Sequence, residues 1–362
     1  MKVGILTRRY GYNMGSTLQA YAMFEMIHGL GHEVEIIDYD ESSAHPVWKV
    51  RPFTEHLLYR FHIPPKGVKR DYLEHRMAQE SKFNEFESKY LPLTPIKYSS
   101  KSQLRKLAYN YDKIVVGSDQ IWNPFLFDPN FFGAFLKHED KSHLIPYSPS
   151  FGTSDITTIS KEQVDLMKAL SVFSCREEAG AEIINEITAH DATVTLDPTL
   201  MIEPDKWKKI ALYHPVHNKP DKYVLTYFLG TNIPEAEINR IANINNVKIV
   251  NISMFNKPNG IKADIHAKKI GPGEFLYLIK NAHHILTDSF HATIFSWIFK
   301  KNFTVFERFK SCDINNQNSR IETLLSVLGA TSHLYGSDKQ DKDSNFEECK
   351  RRSLAYLIEN LK

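Results

Sequence analysis

The sequence predicts an α/β fold in two domains, and three observations carry that prediction. Residues 2–6 read as a buried strand, a glycine-containing loop and a helical segment follow, and 34–39 read as the next strand, which makes a β-α-β opening. The same rhythm restarts near residue 223, after a stretch at 213–221 that is rich in Pro and His and has no periodicity. At 362 residues the chain is long for one hydrophobic core, so two of ordinary size are expected. The expected division is an N-terminal α/β domain over 1–212, a linker at 213–221, a C-terminal α/β domain over 222–335, and a closing helix within 344–362 that packs back on the N-terminal domain.

Taken in order, the first loop (Arg8 to Gly15) leads into a helix that Leu30-Gly31 stops. Its Gly11 and Gly15 lack the G-x-G-x-x-G spacing, and no Gly-Lys-Ser/Thr is present. The loop therefore reads either as ligand-facing without a nucleotide signature or as a plain chain reversal. Residues 48–90 read as a largely helical insertion. Between 48 and 76 it holds seven Lys or Arg against three Asp or Glu, interleaved with aromatic residues. That mixture is either a solvated basic face or a surface for an anionic membrane.

A buried strand at 114–116 runs into Ser118-Asp119-Gln120-Ile121-Trp122-Asn123-Pro124. Polar side chains around one Trp at a strand end point to a sugar- or carboxylate-binding loop, with Gln120, Trp122 and Asn123 as candidates for holding an acceptor; the plainer alternative is an Asx turn packed by the Trp. Strands at 145–148 and 172–176 bracket a helix at 161–170, and the second strand delivers Arg176 to the start of a helix. Glu177 and Glu178 suit that positive dipole end, whereas an arginine there needs an anion to pair with. A strand at 193–196 ends in Asp197-Pro198-Thr199.

In the second half, strands at 223–228, 247–252 and 303–305 alternate with helices at 234–244 and 273–281. Helices from 318 to 328 and from 346 to 361 close the chain. The centre of this half is the corner from His283 to Phe299: a short apolar strand, the break Thr287-Asp288-Ser289, then a helix with Phe290, Ile294, Phe295 and Ile298 on one face. In open α/β sheets anionic ligands bind at such strand-to-helix corners, where the first N–H groups of the helix are unpaired. Asp288, Ser289 and His291 sit there, unless Ser289 is only a cap and His291 only a first-turn residue.

Composition narrows the function classes. With 42% hydrophobic and 24% charged residues the chain is of the soluble globular type. Lys+Arg 45 against Asp+Glu 43 argues against a nucleic-acid partner. Cys175, Cys312 and Cys349 lie far apart, so neither a disulfide framework nor a metal site is indicated, and no cofactor is expected. The expected location is the cytoplasm, with any membrane contact peripheral to its inner face, because no run approaches a spanning length.

Six stretches in one order resemble the polysaccharide pyruvyl transferase family. They are Asn13-Met14-Gly15 with Leu18-Gln19-Ala20-Tyr21-Ala22, then Gly117 to Pro124, Ser150-Phe151-Gly152, Ser174-Cys175-Arg176-Glu177, Leu196-Asp197-Pro198-Thr199, and Thr287-Asp288-Ser289-Phe290-His291. The resemblance implies two Rossmann-like domains facing a cleft, a GT-B-like fold. It also implies phosphoenolpyruvate as donor and a pyruvate ketal on a sugar of a polysaccharide, such as a capsule or exopolysaccharide, or of its lipid-linked precursor.

On that reading the donor's carboxylate and phosphate need cations and N–H donors, expected from Arg176, Thr287, Ser289, Asn13 and Ser16. His291 is the expected general acid for the donor's methylene, kept charged by an adjacent carboxylate such as Asp288. Many family members carry Arg where this chain has Ser289 and Asp where it has Ser16, which leaves Asp119 or Asp288 as the base. Two other readings stand beside this one: a GT-B-like glycosyltransferase using a nucleotide sugar, and a catalytically idle glycan-binding member of a polysaccharide assembly complex.

Overall fold

The computed structural model describes residues 1–9, 11–41, 70–253, 260–309 and 318–362. The basic stretch expected as a surface from 48 to 76 lies, but for the backbone at its end, outside these residues, as does Cys312.

The N-terminal half opens with β1 (Lys2–Leu6), α1 (Met14–Gly29) and β2 (Glu33–Ile36), then α2 (Arg70–Tyr90), α3 (Lys101–Ala108), β3 (Lys113–Val116) and β4 (Leu144–Pro146). Next come α4 (Lys161–Met167), β5 (Ser174–Cys175), α5 (Glu178–Thr188), β6 (Thr193–Val194), α6 (Pro198–Met201) and α7 (Pro204–Tyr213). The C-terminal half runs β7 (Tyr223–Phe228), α8 (Glu235–Asn245), β8 (Lys248–Ser253), β9 (Ile265–Ala267), α9 (Pro272–Asn281) and β10 (His284–Thr287). It ends with α10 (Phe290–Ile298), β11 (Asn302–Val305), α11 (Asn318–Leu328) and α12 (Phe346–Asn360).

Two parallel sheets organise these elements, with strand orders β2-β1-β3-β4 and β11-β10-β7-β8-β9, and β5 and β6 form a small parallel pair. Helices cover both faces, which is why β7 is buried at all six positions and β1 from Val3 to Leu6. The two halves make the GT-B-like arrangement that the resemblance implies. In each sheet the strand order reverses next to the first strand, between β1 and β3 and between β7 and β10. Crevices at such switch points, beyond the strands' C-terminal ends, are where open α/β sheets bind ligands. Register fixes which loops meet there, since Leu6 pairs with Val116 and Thr287 with Tyr227.

The halves are joined by an apolar seam. Trp207 of α7 is fully buried, edge-on to Tyr21 of α1 (5.5 Å between ring centroids) and to Phe295 of α10 (5.0 Å). The terminal helix crosses back onto the N-terminal half, where Ser353 accepts from Leu196 N at 2.9 Å and Tyr356 donates to the Pro146 carbonyl at 2.9 Å. Helices α3 and α7 and strand β9 are absent from the sequence-based outline. The first carries its signal openly, a capping box between Ser100 and Gln103. The second begins at Pro204, just ahead of the stretch that reads as linker. No described helix is long and apolar enough to cross a membrane.

Because Trp207 fills the seam, Trp207→Ala should destabilise the protein by about 3–5 kcal/mol, the usual cost of emptying a large aromatic site. Denaturant unfolding checks it, and a wild-type midpoint would show that the seam is not a joint core.

Candidate active site at the junction of the two sheets

The site is assembled from loops that leave β1, β3, β5, β6 and β10. Asn13 caps α1, its Oδ1 accepting from Gly15 N at 2.9 Å and Ser16 N at 3.3 Å. The Ser16 hydroxyl then donates to Asp119 Oδ2 at 2.5 Å. Asp119 follows the bend at Gly117, whose φ is +134° and where a Cβ would stand 2.0 Å from the Tyr147 carbonyl oxygen. Only glycine fits that approach. A Cβ on Gly15 would fall 2.0 Å from His291 Nδ1, so the bare backbone at the start of α1 is the bed on which the His291 ring of the other half lies.

Asp197 and Arg176 are brought together by the β5–β6 pairing, in which Cys175 stands opposite Val194. Arg176 Nη1 donates to Asp197 Oδ2 at 2.8 Å, and its Nη2 lies 3.7 Å from Asp119 Oδ1. The guanidinium stacks on the Phe290 ring, 4.3 Å from its centroid. From α10, His291 Nε2 reaches within 3.5 Å of Asp197 Oδ2, and Thr199 donates to Asp197 Oδ1 from its N at 3.0 Å and its hydroxyl at 2.6 Å. Among the described residues, Arg176 Nε and Nη2 and His291 Nε2 are buried without a hydrogen-bond partner. The site thus holds donor groups with capacity to spare.

Burial by itself would raise the Asp197 carboxyl, but His291, Arg176 and Thr199 outweigh it and hold the group well below the usual carboxylate range. At Asp119 burial is likewise overcome, here by Arg176, His291 and the Ser16 hydroxyl, so this carboxyl too is lowered. Both are anions at neutral pH.

Several expected site residues serve elsewhere. Asp288 is not the carboxylate beside His291. Its two oxygens accept from Leu229 N at 2.8 Å and Gly230 N at 2.7 Å, and Arg308 lies 3.4 Å away, so it ties β10 to the loop after β7 and has no free oxygen to act as base. Thr287 is wholly buried, donating to the Tyr227 carbonyl at 2.6 Å, and Ser289 caps α10. Trp122 is a core residue, stacked on Phe132 with its indole N–H on the Phe131 carbonyl at 3.3 Å. Asn123 is buried, its Nδ2 on Gln120 Oε1 at 2.8 Å and its Oδ1 accepting from Phe125 N at 2.9 Å, so this pair shapes the loop and presents no stacking face to a sugar. In the other direction, Asp197, Phe290 and Arg320 belong to the site, and no signal in the sequence assigns them there. Asp197 ends a recognisable strand, yet nothing local marks it as the partner of His291, 94 positions away.

Asp197→Asn should cost about 3–5 kcal/mol at neutral pH, because Arg176 would then be buried without its main counter-charge. The Asp197 value is depressed in the folded state, so its stabilisation is present above the unfolded value near ~4 and is lost as pH falls below it. The gap between wild type and variant should therefore narrow in acid, which denaturation at pH ~7 and pH ~3 would test.

Among solved structures, the chain is similar to the UDP-GlcNAc 2-epimerase from Methanocaldococcus jannaschii in complex with UDP-GlcNAc and UDP (14% identity, TM-score 0.49, covering 100% of both chains). It is also similar to the UDP-GlcNAc 2-epimerase from Neisseria meningitidis bound to UDP-GlcNAc (14%, 0.48, covering 99% of this chain and 92% of that one). A third likeness is to an alpha-glucosyltransferase in complex with UDP (8%, 0.46, 99% and 95%). Comparison with curated protein sequences found no match. The family model described as polysaccharide pyruvyl transferase matches residues 13–309, most of the chain, including Asn13, Asp119, Arg176, Asp197 and His291. The chain belongs to the polysaccharide pyruvyl transferase family.

Proposed function

We propose that the protein transfers the pyruvyl group of phosphoenolpyruvate to two hydroxyls of one sugar, forming a pyruvate ketal and releasing phosphate. The observation that carries this reading is the buried Arg176, whose Nε and Nη2 make no hydrogen bond among the described residues while its guanidinium stacks on Phe290 next to His291. A guanidinium held flat on a ring with spare donors suits a carboxylate or phosphate.

In the reaction, His291 gives its proton to the donor's methylene carbon, which becomes a methyl group and leaves the central carbon electron-poor. A sugar hydroxyl bonds to that carbon and passes its proton to Asp119, which is ionised and partly open to solvent. The carbon–oxygen bond to phosphate breaks with its electron pair going to phosphate, and the second hydroxyl closes the ketal. The two hydroxyl protons balance those gained by the methyl group and by phosphate. Asp197 holds both Arg176 and His291 in place and takes no proton. The acceptor is a sugar of a polysaccharide or of its lipid-linked precursor, met in the cytoplasm at the inner face of the membrane.

His291→Gln should lower single-turnover ketal formation about 10²- to 10⁴-fold, the usual contribution of a positioned acid, with donor affinity changed much less. Phosphate release followed by phosphorus NMR, with calorimetry of donor binding, reads both quantities. Turnover of a UDP-sugar in place of phosphoenolpyruvate would overturn the proposal.

A further inference from the structure

Beside Phe290 lies a cavity of about 110 Å³. It runs between the end of β6, the buried face of α11 and the start of α12. Its charged and polar walls are Arg176, Arg320, Arg352, Thr195, Thr323 and Asn345, with Asp197 and Glu178 as the acidic members and leucine and valine side chains between them. Asp197 is already committed to Arg176 and Thr199, and Glu178 is exposed in the first turn of α5, so the arginines outnumber the carboxylates and only one carboxylate is buried with them.

Arg320 is 6% exposed, and its guanidinium lies 6.0 Å from the centroid of the Phe290 ring that Arg176 also covers. Two buried arginines therefore address one ring, and Arg176 lines the cavity with its Nε and Nη2 unpartnered among the described residues. Burial, then the Arg176 charge beside it, pushes Arg320 down to about 9. A protein holds like charges together in a dry site at a cost that an anion between them removes.

We infer that this cavity is a subsite for a phosphate oxyanion, clamped by Arg176 and Arg320, with Thr323 and Arg352 as further donors. A tetrahedral dianion offers several acceptor oxygens to donors arranged around it, and arginine forks match that geometry. The space equals roughly three to four waters at ~30 Å³ each, enough for one phosphate group. Thr323 and Arg320 stand three apart on α11, so they share the face that lines the cavity. Two sources supply this chemistry: the phosphoryl group of the donor, or free inorganic phosphate. Identifying the occupant with the donor's phosphoryl group rests on the pyruvyl-transfer reading; the oxyanion site does not.

Calorimetry and thermal shift on the full chain with inorganic phosphate, phosphoenolpyruvate and pyruvate test it. Saturable phosphate binding is expected, weakened about tenfold or more in Arg320→Gln, the loss of one charge-assisted hydrogen bond. Phosphoenolpyruvate should compete with phosphate and pyruvate should not. Should Arg320→Gln fail to fold, the pair Thr323→Val and Arg352→Gln, at a half-buried and an exposed position, reads the same cavity and must also weaken phosphate. Phosphate binding unaltered in these variants, or absent from wild type, overturns the inference even if phosphoenolpyruvate is turned over. Phosphate binding lost in the variants but without competition from phosphoenolpyruvate supports the oxyanion site and removes the donor from it.

Discussion

The rest of the site depends on one buried anion. Asp197 is 1% exposed, and an ionised carboxylate so far from water is tolerated only when its charge and lone pairs are met. Five groups meet them: Arg176 from the loop after β5, the Thr199 N–H and hydroxyl from the turn after β6, the Ser118 hydroxyl from the loop after β3, and His291 from α10 of the other half. The same carboxylate that holds Arg176 also meets His291 from the other half, so it ties the two sheets together at this point, and the Trp207 seam supplies the apolar area beneath it.

Around that anion the two switch points divide the labour. The N-terminal crevice supplies Ser16 and Asp119, the C-terminal one His291 and Phe290, and the small β5–β6 pair places Arg176 and Asp197 between them. A second ionic layer steadies the first loop from behind: Arg8 pairs with Glu41 at 2.8 Å and bonds the Gln120 carbonyl, and Arg9 pairs with Asp38 and Glu87. Below the site, Lys82 of α2 pairs with Glu274 of α9 at 2.9 Å, with His214 3.8 Å from the same carboxylate. Residues that do chemistry on loops are thus held by partners in packed helices, which is how a loop site reaches the precision that catalysis needs.

Two serines stand where many family members carry charge, and the structure shows what compensates each. Ser16 gives its hydrogen bond to Asp119, so a carboxylate from the neighbouring strand end stands beside Arg176. Ser289 caps α10, and positive charge reaches Phe290 instead from Arg176 and Arg320, which lie 144 positions apart along the chain. The chemistry of the site is carried by the set of charges around the ring and not by one motif position.

The sequence by itself determined the α/β class, most strands and the corner that bears His291, because burial in parallel sheets and helix capping leave local patterns: apolar runs, Gly stops, Ser and Asn caps. It also marked Arg176 as needing an anion, since a cation at a helix start is unfavourable without one. Which anion was decided only by tertiary structure. Asp197 beside Arg176, Asp197 in place of Asp288 beside His291, Arg320 brought to Phe290 from α11, and Trp122 turned into the core instead of toward a sugar all follow from packing between distant segments. Pairing energies of buried charges depend on distance and desolvation, and neither is written in the residues on either side of them.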